Sequence, residues 1–179
     1  MRSARSPVVT VAEERLADGK LRGLAPDALR ALADAHVADV VLVEADGSAG
    51  RPLKAHAPHE PVFAPGADAV IAVIGARVLG LTATDAHVHR APLFRERLGL
   101  AEDHAITPAD VAAIVLHPGG WLERVPAGVP VSVLVNAAGD AAALPGAGAI
   151  AEALRQADAA GRLARVVAGD AFVPPAASA

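Results

Sequence analysis

The chain has 179 residues, 53% hydrophobic and 20% charged, with a formal charge of −4. That is one domain's length, with apolar residues enough for a core and too many for a disordered chain. The acidic balance, with three Phe, one Trp and no Tyr, excludes a basic nucleic-acid surface and base-stacking platforms. The lack of cysteine excludes disulfides, thiolate metal sites and thiol catalysis.

The first residues, MRSARSPVVTV, contain Arg but no apolar signal core, and no run approaches the ~20 apolar residues of a membrane span. A cytoplasmic protein without membrane contact is expected. Pro7–Val11 has the composition of a short strand, and Glu13–Gly23 reads as polar turns. Gly19-Lys20 does not make a phosphate loop, because Glu14 stands where its first Gly belongs and Leu21 where Ser or Thr belongs. Ala25-Pro26-Asp27 starts a helix, with Leu29 and Leu32 on one face.

Val40-Val41-Leu42-Val43 has the length and β-branched content of a buried parallel strand. The chain then reads EADGSAGRPLKAHAPHEP, from Glu44 to Pro61. In an extended continuation, Glu44 and Asp46 point to the same side, where open α/β sheets bind their ligands. Either the two acids work together there, Asp46 holding Mg²⁺ beside nucleotide phosphates and Glu44 orienting water, or they cap an exposed loop. Gly47, Ser48 and Gly50 let the loop approach a ligand, and Arg51 and Lys54 are candidate phosphate-binding cations. His56, His59, His87 and His89, with Glu60 and Asp85, are either polar loop partners or the donors of a metal site, and Arg90 belongs to the same accessory loops.

Ala69–Gly75 is a second buried strand, and Pro92–Leu100 a short helix with Phe94 inward. Thr107-Pro108-Ala109-Asp110 is a capped helix start, and Pro118-Gly119-Gly120 ends that helix. Val131–Asn136 is a third strand, Ala149–Ala160 a helix, and Arg165–Ala168 a fourth strand. The alternation predicts a single α/β domain over residues 1–170 with a mostly parallel sheet, and a flexible Pro/Ala-rich tail over 171–179.

The stretch VLVEADGSAGRPLKAHAPHEPV from Val41 to Val62 resembles the signature of the selenium-dependent hydroxylase accessory family often called YqeC. LADGKLRGLAPDAL, HVHR, ITPADVAAIVLHPGG and VLVN agree with it, so the similarity spans most of the chain. The resemblance implies a P-loop-NTPase-like (Rossmannoid) core binding ATP or GTP with Mg²⁺. It also implies a partner, a selenium-dependent molybdenum hydroxylase or its maturation machinery. With no cysteine, selenium carriage through a persulfide analogue is excluded.

Two departures qualify what the resemblance implies. NAAGD, from Asn136 to Asp140, stands where such proteins have an N-K-x-D base-reading turn; Ala137 replaces the Lys and one residue is added. Asn136 and Asp140 are therefore either base-reading groups or strand-end turn residues. The family's N-terminal phosphate loop is also absent from these residues, which predicts a missing βαβ unit of about 50–70 residues. Loss of that unit is expected to leave an exposed sheet edge beside Val40–Val43, impaired hydrolysis, and self-association through the edge. Two other functions stay open: a non-enzymatic module docking a hydroxylase or its molybdopterin cofactor through the Gly47–Glu60 loop, and a small metal-dependent hydrolase using the His/Asp cluster.

Overall fold

The computed structural model describes residues 8–171, and these fall into two compact units. Of the described residues, 8–43 and Ala64–Gly66 belong to the first and Glu44–Phe63 and 67–171 to the second. The start of the expected strand at Pro7 and most of the expected tail lie outside the described residues.

In the first unit, Val8–Val11 forms no strand. The segment expected to be turns forms a small antiparallel hairpin, β1 (Glu14–Arg15) and β2 (Leu21–Arg22), tied by an Arg22–Glu14 ion pair of 3.2 Å. Helix α1 (Pro26–Asp34) starts where Pro permits.

The strand expected at Val40–Val43 is not formed: the run has no ladder, and Val40 and Leu42 are 71% and 85% exposed. A strand needs a neighbour for its N–H and C=O groups. Apolar composition records a demand for burial but not whether a neighbouring strand is available.

The second unit is α/β. Strands β3 (Leu53–Lys54), β4 (Val70–Gly75) and β5 (Val88–His89) precede helices α2 (Ala91–Leu98) and α3 (Pro108–Val115). Strand β6 (Val131–Asn136), helix α4 (Leu144–Ala157) and strand β7 (Arg165–Gly169) complete it. The main sheet has the order β4-β6-β7, all parallel, with Val70 opposite Val131 and Gly75 opposite Asn136. A separate parallel pair joins β3 to β5, with Lys54 opposite His89.

Alternation along β6 turns Val131, Val133 and Val135 inward. They meet Ala147, Ile150, Ala151 and Leu154 of α4, spaced so that one helical stripe is buried. Val111, Ile114 and Val115 of α3 join the same core, together with Phe94 of α2. The start of α3 is the expected one: Thr107 Oγ1 accepts from Asp110 N at 3.3 Å, and Asp110 accepts in return from Thr107 N at 2.8 Å.

The β4 run was expected to be buried, but it is an edge strand of its sheet, and Ile71 and Val73 are each 62% exposed. Ile74 alone on β4 is fully enclosed. The continuous apolar run anticipates a covered second face, which the described residues of this unit do not supply. Among the described residues no helix is long and apolar enough to cross a membrane.

Candidate functional site

The carboxyl ends of β3 and β5 carry the densest group of ionisable side chains. Three local features place them. Gly75, the last residue of β4, donates its N–H to Pro52 O at 2.8 Å, anchoring the entry to β3. A Cβ on Gly75 would lie 2.7 Å from Pro52 Cβ, so only glycine permits this approach. Ala55 N donates to His89 O at 3.0 Å, extending the β3–β5 ladder past Lys54. Beyond β5, Asp85 Oδ1 accepts from Ala91 N at 3.1 Å at the start of α2, and Arg90 turns the corner at φ 63°.

Lys54 is the hub, with its side chain only 7% exposed. An ammonium has three donors, and this one faces three acceptors: Asp46 Oδ1, Gly47 O at 3.0 Å and Glu60 Oε2 at 3.1 Å. Burying a charge is tolerable when it is paired and hydrogen-bonded in this way. Arg90 grips the same Glu60 with both arms of its guanidinium, Nη1 on Oε2 and Nη2 on Oε1, the latter at 2.8 Å. The Arg90 bonds hold the Glu60 carboxyl down at about 2, against an ordinary 4.5.

His56 Nε2 lies 3.1 Å from Asp46 Oδ2 without an aligned hydrogen bond, and that oxygen is buried with no hydrogen-bond partner. The His56 ring leans on Trp121 with centroids 5.9 Å apart. Burial pushes its pKa down to about 4 against the pull of Asp46, so the ring is neutral at neutral pH. His89, beside Lys54, is also pushed down, first by burial and then by the charges of Lys54, Arg90 and Arg51.

The Ser48–Arg51 turn has Ala49 and Gly50 both at positive φ, 52° and 78°. Ser48 Oγ donates to Arg51 O at 2.6 Å within it. Arg51 Nε reaches Asp85 O at 3.0 Å and Nη1 reaches Ala49 O at 2.7 Å.

The structure thus brings Asp46, Gly47, Lys54, His56, Glu60, His89 and Arg90 into one cluster, with Ser48, Gly50 and Arg51 in the adjoining turn. Glu44 is exposed, with Oε1 beside Gly47, and among the described residues it makes no hydrogen bond or ion pair. The shared orientation expected of Glu44 and Asp46 needs strand alternation, and no strand forms there. His59 is 77% exposed, 3.8 Å from Glu60. His87 Nδ1 bonds Thr82 O at 2.9 Å and so braces its own turn.

Asn136, opposite Gly75 at the end of β6, accepts from Ala138 N at 2.9 Å and Ala171 N at 3.0 Å. Asp140 accepts from Ala142 N at 3.0 Å. Sequence reasoning missed Arg124, which donates to Pro58 O at 2.7 Å and Pro61 O at 3.3 Å and so holds the loop carrying Glu60. No motif could reveal it, since its partners are backbone carbonyls 63 and 66 residues away.

Mg²⁺ requires several open oxygen ligands. Asp46 does not fit that demand, because Lys54 holds one oxygen and the other is enclosed beside His56. Among the described residues, no three His, Asp or Glu are placed to share a metal ion. A groove lined by Ala109, Ala112, Ala113, Ala153, Gln156 and Ala157 lies between α3 and α4, but it carries no ionisable side chain. The chemistry resides at the ends of β3 and β5: two cations, Lys54 and Arg90, face two carboxylates beside two imidazoles pushed toward the neutral form, an arrangement suited to holding an anion.

The family model described as YqeC protein matches residues 1–92. The chain is 42% identical over 110 residues, 62% of its length, to a protein of Escherichia coli (strain K12) described as "Uncharacterized protein YqeC". The match covers 43% of that protein, so the chain spans less than half the length of the curated relative it matches. No solved structure matches the chain.

Proposed function

Because the chain belongs to the YqeC family, we propose that it is a cytoplasmic accessory protein in the maturation of selenium-dependent molybdenum hydroxylases, holding the phosphate end of ATP or GTP at the carboxyl ends of β3 and β5. The resemblance of Val41–Val62 to the family signature supports the selenium and hydroxylase part, together with a P-loop-NTPase-like (Rossmannoid) ancestry for the core.

One observation carries the phosphate part. Lys54 and Arg90 meet at the carboxyl ends of two parallel strands, the position at which α/β sheets take ligands, and Arg51 stands at the entry to β3, near enough for its charge to act on His89. Arg51 and Arg90 offer planar forks suited to phosphate, whereas Lys54 fixes the frame they stand on. These residues contain no G-x-x-x-x-G-K-[ST] loop, so binding without efficient hydrolysis is the expected behaviour. The Mg²⁺ expected at Asp46 forms no part of this reading.

Calorimetric titration with ATP and with GTP, each with Mg²⁺, tests it. Micromolar binding that weakens about tenfold in Arg51→Ala is the expected result, and failure of both nucleotides to bind refutes the phosphate reading. The accessory role is tested separately by the selenium content of a molybdenum hydroxylase purified from cells lacking the whole protein.

A second reading draws on the rigidity of the Gly47–Glu60 loop, which Lys54 and Arg124 pin at three acceptors within it and at Asp46 and Pro61 on its flanks. A preshaped loop suits docking to a hydroxylase or its molybdopterin cofactor. Association with the hydroxylase in the absence of any nucleotide binding would select it.

A further inference from the structure

We propose that the carboxylate of Glu60 fills an oxyanion seat made by Arg90 and Lys54, and that a phosphoryl group of an incoming ligand takes its place there. The inference rests on the phosphate reading above and states how the site is occupied and guarded.

The donor set around Glu60 is what a phosphoryl group requires. The Arg90 fork engages both oxygens, Lys54 adds a contact at 3.1 Å, and Ala57 N points at Oε2 from 3.4 Å. A guanidinium fork, an ammonium and a backbone amide recognise carboxylate and phosphate alike. These donors are carried by separate elements, with Lys54 ending β3 and Arg90 between β5 and α2. Glu60 lies instead on a stretch without regular structure.

The seat is within reach of solvent, since the side chains of Arg90 and Glu60 are 31% and 19% exposed. Arg124 fixes the carbonyls of Pro58 and Pro61 on either side of Glu60. The glutamate side chain can therefore swing out while its backbone stays in place. With Glu60 withdrawn, Lys54 keeps Asp46 as its counter-ion and Arg90 loses the carboxylate that both of its arms engage. The titratable and charged groups facing Glu60 are Arg90, Lys54, His59, and His56 and His89, whose rings also feel its charge. The strong hold of Arg90 on Glu60 is visible in the depressed pKa of that carboxyl.

The test titrates pyrophosphate, ATP and GTP into the wild-type chain and into Glu60→Gln, with Asp46→Asn as a control that removes equal charge and leaves both Arg90 hydrogen bonds to Glu60 in place. Glu60→Gln should bind about tenfold more tightly, with a smaller gain in Asp46→Asn, and binding of pyrophosphate alone would assign the seat to free phosphates. Wild-type binding that Glu60→Gln leaves unchanged overturns the proposal while the nucleotide reading stands. No binding of any probe by either protein overturns both.

A second measurement needs no variant: the side-chain carboxyl carbon of Glu60, followed by NMR at about pH 4 as inorganic phosphate is added. Freed from Arg90, Glu60 takes up a fraction of a proton and its signal moves toward the protonated position. A signal that stays put while phosphate binds refutes the displacement.

Discussion

Lys54 Nζ lies 3.1 Å from Glu60 Oε2, the same oxygen that receives one arm of the Arg90 guanidinium. One carboxylate oxygen thus joins a buried ammonium to a half-exposed guanidinium, and the stability of the site depends on that junction.

Replacing Lys54 by Met keeps the aliphatic stem and removes the charge. Asp46 and Glu60 then face each other without the ammonium between them, and Gly47 O loses its donor. Because the two acids are 17% and 19% exposed, water offsets part of the loss, and destabilisation of roughly 2–4 kcal/mol is expected in urea unfolding. A change under about 0.5 kcal/mol would show that Lys54 is not the hub.

Acid should act in two stages. His56 has a folded-state pKa of about 4 against 6.5 when unfolded. The unfolded chain therefore binds the extra proton, and stability falls as pH drops from 6.5 toward 4. Glu60 has a folded pKa of about 2 against 4.5; its contribution is intact above 4.5 and is lost on the way down to 2. His56→Gln should flatten the first stage and leave the second, as read from unfolding midpoints across pH. An unaltered upper stage in that variant would count against the burial of His56.

Gly75→Ala places a methyl 2.7 Å from Pro52 Cβ and 3.0 Å from Pro52 Cα. Pro52 must move and carries β3 with it, so a cost of about 1–3 kcal/mol is expected. Nucleotide or pyrophosphate binding should weaken in the same variant, since Lys54 follows two residues later.

Arg124→Ala removes the donors from Pro58 O and Pro61 O. The global cost should be small, about 1 kcal/mol. Amide exchange around residues 57–63 should accelerate well beyond that of the β6–α4 core. Uniform acceleration across the second unit would instead point to a general structural role.

Much of the second unit was legible because its signals are local. Val131–Asn136 alternates inward and outward as its residues suggest, and Thr107 with Asp110 marks the start of α3 by spacing alone. The gathering of Lys54, His56 and Glu60 was half visible, since these residues crowd within a few positions. Arg90 and His89 join them only because β5 pairs with β3, a pairing that no short-range pattern encodes. Val40–Val43 shows the converse, a run with every strand character except a partner.

By itself, the sequence determined the α/β class, the capped start of α3, the chemical inventory of the site and membership in a family whose signature runs through that inventory. These follow from side-chain volume, polarity and spacing along a few turns of chain. Only the tertiary structure decided which charges meet. Lys54 lies between two acids because the end of β4 anchors the entry to β3, and Asp46 faces the ammonium because a buried cation draws in nearby carboxylates. Electrostatic partners are chosen by distance in space, and that distance is set by packing between segments far apart in the chain.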